Sequence, residues 1–70
     1  MKMNLRISNT NDKITWELWA RGVYISKIQE YKLVKNAIKA ARRIASKLNV
    51  EITSYSYCEP ETGYEQSLVV

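Results

Sequence analysis

Six cations at helical spacing are the residues whose types and positions most suggest chemistry. Lys32, Lys35, Lys39, Arg42, Arg43 and Lys47 recur at three- and four-residue steps, and no acidic residue falls between Lys32 and Asn49. On a helix, which turns about 100° per residue, they occupy one broad arc. Like charges four residues apart repel, and such an arc forgoes the Glu/Lys pairs that ordinarily support an exposed helix. Phosphates would offset that repulsion, because each one neutralised releases counterions and gives sequence-independent affinity that weakens steeply with salt. An acidic protein surface would offset it as well. The expected partners are therefore DNA, RNA or an acidic face of a protein complex. The alternative is a plainly solvated outer face, with Arg42, Arg43 and Lys47 favoured near the helix C-terminus by its dipole.

A second group is aromatic. Trp19, Tyr24, Tyr55 and Tyr57 are expected on the open face of a sheet, in a register the sequence leaves free. Aromatics in that setting stack unpaired bases in several RNA-binding folds. A contiguous aromatic patch more often marks a protein partner, so protein contact or plain packing is the favoured reading of these four.

Catalysis has little to work with. The chain has no histidine, which removes the commonest general base and metal ligand, and Cys58 is the single cysteine. Nothing near Cys58 in sequence would lower its pKa, and it reads as a half-buried strand residue. Gly22 and Gly63 stand apart, so no glycine-rich phosphate cradle exists. Glu17, Glu51, Glu59, Glu61 and Glu65 lack an apolar pocket signal that would make paired carboxylates useful. No enzyme activity, metal or cofactor is expected.

The elements that would position these groups follow from periodicity. Met3, Leu5 and Ile7 alternate with Asn4, Arg6 and Ser8, the period-two pattern of a half-buried strand, which stops at the turn formers Asn9 to Asp12. A second strand is expected over Ile14 to Arg21, with Trp16 and Trp19 on opposite faces. Gly22 allows a tight turn into a third strand, Val23 to Ser26. From about Tyr31 to Asn49 the period becomes helical, with Val34, Ala37, Ile38, Ala41, Ile44, Ala45 and Leu48 forming the apolar stripe. Val50 to Cys58 reads as a fourth strand, closed by Glu59 to Gly63, and residues 64–70 as a fifth. The apolar tail makes strand exchange in a homodimer a further reading.

The expected fold class is α+β: one domain over residues 1–70, with a single antiparallel sheet of four or five strands in the order βββαβ(β) and the helix across one face. Seventy residues, 46% of them hydrophobic and 26% charged, leave room for one core only. Charge is segregated along it. The helical segment carries six cations, whereas the last 20 residues carry four acidic groups and no basic one. The lone cysteine, the absence of an apolar run after Met1-Lys2-Met3 and the lack of any segment of membrane-spanning length point to a cytoplasmic protein without membrane contact.

Two resemblances attach to these residues. Ile14-Thr15-Trp16-Glu17-Leu18 through Gly22, followed by Lys32-Leu33-Val34-Lys35-Asn36-Ala37, resembles the strand-strand-helix half of a double-stranded-RNA-binding domain. There a basic cluster opens the last helix and grips phosphates, and the resemblance implies that role for Lys32 and Lys35. Over the whole length, the Trp-bearing strand, the helix containing Ala37-Ile38, Ala41-Arg42 and Ile44-Ala45, and the strand Val50-Glu51-Ile52 look like small uncharacterised bacterial and phage domains of order ββαβ. That likeness implies an alternative function: a phage or mobile-element protein, similar to anti-CRISPR inhibitors, that binds a host or defence complex by protein contact.

Overall fold

In a computed structural model describing residues 1–69, five strands form one sheet and a single helix covers one of its faces. The strands are β1 (Lys2–Thr10), β2 (Lys13–Ala20), β3 (Val23–Ser26), β4 (Glu51–Glu59) and β5 (Tyr64–Ser67), and the helix α1 is Val34–Lys47. Their spatial order is β3-β2-β1-β4-β5. The α+β class and its one-helix layer are as expected, but the sheet is not wholly antiparallel: β1 and β4 run parallel at its centre. The reason is the connection. β3 and β4 point the same way, and parallel strands need a crossover, which α1 supplies by passing over β2 and β1.

Both ends of the sheet's first hairpin are set by local chemistry. Asn11 and Asp12 have φ of 52° and 63°, the left-handed pair that a two-residue type I′ turn requires. Asn and Asp tolerate that region, so pairing continues out to Thr10 and Lys13, beyond where the turn formers begin.

The helix is shorter than its periodicity at both ends. Tyr31 is held out of it by two backbone hydrogen bonds with Ile14, of 3.1 and 2.7 Å. At the other end Asn49, at φ 56°, closes a Schellman motif: the Asn49 amide donates to the Ser46 carbonyl and the Val50 amide to the Ala45 carbonyl. Leu48, expected in the apolar stripe, is the C-cap and half exposed.

The core is asymmetric in residue size. Met3, Leu5, Ile7, Ile14, Trp16 and Leu18 rise from β1 and β2 and are buried against Ala37, Ala41 and Ala45. Three alanines one turn apart let the helix backbone lie close to the large sheet residues, and their small side chains cost little conformational entropy. Val34, Ile38 and Ile44 flank this stripe and are half-buried. The helix therefore has one orientation available, which puts its cations on the outer arc, away from the buried stripe.

Candidate nucleic-acid interface

On the helix, Lys35, Lys39, Arg42, Arg43 and Lys47 are exposed, centred opposite the buried alanines. Lys32 lies two residues before the helix in the connection from β3, also exposed. Among the described residues the ion pairs are Lys2–Glu51, Arg6–Glu17 and Lys13–Glu30. None of the six predicted cations takes part in one. The first turn adds to the imbalance: it contains no acidic residue, Leu33 provides no side-chain cap, and Lys35 sits beside the positive end of the helix dipole.

The six are not equivalent. Arg42 is turned toward β4, where its Nε donates to the Tyr55 hydroxyl at 3.0 Å and its guanidinium lies 5.3 Å from the Tyr55 ring centre. On the opposite flank Lys39, Arg43 and Lys47 line a groove of about 380 Å³ between the helix and the β3–α1 connection. Asn36 lies on the same flank, and Lys27 and Gln29 face it from the connection. Those three were not legible as site residues. Asn36 carries no charge, although it precedes Lys39 and Arg43 at steps of three and seven and so shares their face. Lys27 and Gln29 precede the periodic segment altogether.

The predicted aromatic face does not form. Trp19 and Tyr24 are register partners on the open face of the sheet. Tyr55 and Tyr57 pair with Leu5 and Ile7, which puts them on the helix side. The cause is a one-residue bulge: Met3 pairs with Ile52 and Asn4 with Ser54, leaving Thr53 without a partner and inverting the alternation of everything after it. Ser54, Ser56 and Cys58 consequently face the open side. There the Asn4 amide oxygen accepts from the Ser54 hydroxyl, and Ser8 Oγ lies 3.3 Å from Cys58 Sγ. Trp19 is no free platform either. Arg6, paired with Glu17 at 3.0 Å, covers its ring at 5.3 Å from the centre.

Tyr57 has its own polar cluster on the helix side of the sheet. The Asn9 amide donates to its hydroxyl oxygen at 3.0 Å, which favours the phenolate. Opposing this, the hydroxyl donates to Glu59 at 2.8 Å, and burial and the neighbouring Glu59 and Tyr64 charges act in the same direction. The net effect holds its pKa above the usual tyrosine value.

Among the described residues, no three His, Cys, Asp or Glu side chains gather where a metal could be held, and no helix is long and apolar enough to cross a membrane. No protein-family model, curated protein or solved structure matches the chain.

Proposed function

We propose that this protein is a non-enzymatic nucleic-acid-binding module that grips the sugar-phosphate backbone with the basic face of its one helix, without reading base identity. The observation that carries the reading is the set of six exposed cations with no ion-pair partner among the described residues, five of them on a helix face that the buried alanine stripe turns outward and Lys32 just before it. Solubility alone would be served by mixed charges, which also support the helix through i,i+4 pairs. A helix that omits every carboxylate forgoes that stabilisation and gains a positive potential suited to a polyanion. The lone thiol suits a reducing, cytoplasmic setting.

The test is binding of mixed-sequence DNA and RNA probes across a salt series. Five or six neutralised phosphates give a slope of log affinity against log salt of about −5, so affinity falls roughly a thousandfold between 50 and 200 mM salt. Reversal of Lys39 and Arg43 together removes most of it. Failure of the wild type to retain either nucleic acid at low salt refutes the proposal.

A second reading, contact with a protein partner, is favoured by one observation. At the free edge of the sheet Tyr24 is 67% exposed and Ile28, just after β3, is fully exposed. Exposed apolar groups beside an unpaired strand edge suit β-augmentation by another chain, whether a host protein or a second copy. Tyr24→Ala with Ile28→Ser abolishes capture of such a partner and leaves nucleic-acid affinity unchanged.

A further inference from the structure

We infer that the phosphate track is centred on the groove between the helix and the β3–α1 connection, that Lys27 completes it, and that the ligand seated there is the backbone of a nucleic-acid duplex. This rests on the nucleic-acid reading above and specifies its site and substrate.

The connection is built to present one side to the helix. Its far end is fastened by the two backbone hydrogen bonds between Tyr31 and Ile14. Before that point the side chains divide. Lys27 and Gln29 line the groove, whereas Glu30, the one carboxylate of the connection, is drawn to Lys13 at 3.8 Å and is not among the groove's lining residues. From the helix come Asn36, Lys39, Arg43 and Lys47. Four cations and two side-chain amides therefore surround one concavity, and no carboxylate lines it. Amides and cations are the side chains that donate to phosphate oxygens in nucleic-acid complexes. Arg42, held on the opposite flank by Tyr55, is a packing residue rather than a member of this set.

Absence of stacking groups selects the duplex. Proteins that hold single strands combine positive charge with aromatic rings on which bases stack. The one aromatic residue at this groove, Tyr31, is half-buried. Trp19 and Tyr24 lie on the other face of the sheet, and Tyr55 lies beneath Arg42. What the groove can recognise is a regular line of phosphates whose bases are already paired with each other. At about 1.5 Å per residue, Lys35 and Lys47 are about 18 Å apart along the helix, the axial span of about five phosphates on one duplex strand.

The experiment compares wild type, Lys27→Glu, Arg43→Glu and Lys2→Glu by fluorescence anisotropy, using a mixed-sequence duplex of about 20 base pairs and one of its strands alone. Lys2 is an exposed residue on the open face, so its reversal makes the same change in net charge away from the groove. Circular dichroism confirms that each variant folds. Lys27→Glu and Arg43→Glu are expected to weaken duplex binding about tenfold or more and to lower the salt slope by at least about one, whereas Lys2→Glu changes affinity less than about threefold. Wild type is expected to bind the duplex more tightly than the strand. Equal effects of Lys27→Glu and Lys2→Glu overturn the groove, and tighter binding of the strand overturns the duplex. Polyglutamate binding as strong as duplex binding assigns the groove to an acidic protein instead. Binding of neither nucleic acid by the wild type overturns the nucleic-acid reading itself, a result distinct from the other three.

Discussion

Replacing Lys39 by glutamate should stabilise the free protein and weaken its binding at once. Lys39 lies four residues from both Lys35 and Arg43, all three exposed, and no acidic residue lies anywhere on the helix. The substitution removes two like-charge i,i+4 contacts and creates two opposite-charge ones, one of them in the favourable Glu-before-Arg order. At about 0.2–0.5 kcal/mol for each lost repulsion and each gained attraction, the helix gains about 1 kcal/mol. Lys and Glu have similar helix propensity, so no backbone term cancels the gain. In a domain of this size 1 kcal/mol raises Tm by about 4–8 °C. Thermal unfolding followed by circular dichroism at about 20 mM and about 0.5 M salt separates this from other causes, because the gain must shrink as screening shortens the range of the charges. Duplex affinity measured on the same sample should fall, with a salt slope smaller by about one to two. A charged face kept for binding at a cost in stability behaves in this way. An unchanged or lowered Tm at low salt would show that the cations impose no strain, and the main physical reason for assigning them a ligand would be lost.

Three further outcomes follow from the fold. Asn49 holds the left-handed position that ends the helix, so Asn49→Val costs about 1–2 kcal/mol in thermal unfolding while Asn49→Gly costs none. Deleting Thr53 removes the unpaired residue of the bulge and leaves Asn4 opposite Ser54 and Leu5 opposite Tyr55. The variant should fold with Tyr55 still on the helix side, seen as retained Arg42–Tyr55 contacts by NMR. Finally, Tyr57 titrates above the usual tyrosine value in the folded protein, so the native state binds its proton more tightly than the unfolded chain does. Its contribution is fully present below pH of about 10 and is lost as pH rises through the folded value. Alkaline unfolding of Tyr57→Phe should accordingly show a shallower loss of stability above that pH than the wild type.

Most of the architecture was legible because its signals are local. Alternation in Met3, Leu5 and Ile7 and the alanine-rich stripe of Ala37, Ala41 and Ala45 each report a buried face directly, and both faces meet in the core. The parallel pairing of β1 with β4 was not legible, since nothing in Glu51–Glu59 records which neighbour it will find or in which direction. The helix boundaries were missed for a related reason. Tyr31 continues the helical pattern but is taken by Ile14, a contact 17 residues away in sequence. Tertiary hydrogen bonds overrode a periodicity that propensity alone would have extended.

The site divided along the same line. Helix cations could be placed on the exposed arc from spacing because one buried stripe settles which face is outermost, although not that Arg42 leans back onto Tyr55. The tyrosines could not, because a strand's faces depend on a count of residues that a single bulge changes by one. Thr53 is that residue: counted as an ordinary strand position it sends Tyr55 and Tyr57 to the open face, and only its exclusion from the pairing puts them on the helix side with Ile52. The consequence reaches function. With both tyrosines on the helix side, one clamping Arg42 and the other bonded to Asn9 and Glu59, the open sheet face presents Asn4, Ser8, Ser54 and Ser56 around a Trp19 that Arg6 already covers. Apart from Tyr24 at its edge, that surface offers small hydroxyl and amide groups on which bases stack poorly, so on the proposed reading affinity for nucleic acid comes from the other side of the molecule, where the charge is. If the proposed nucleic-acid reading holds, the bulge sets the mode of recognition as well as the register: it leaves phosphates as the part of the ligand to be held, and the groove that Lys27 shares with Arg43 as the place to hold them.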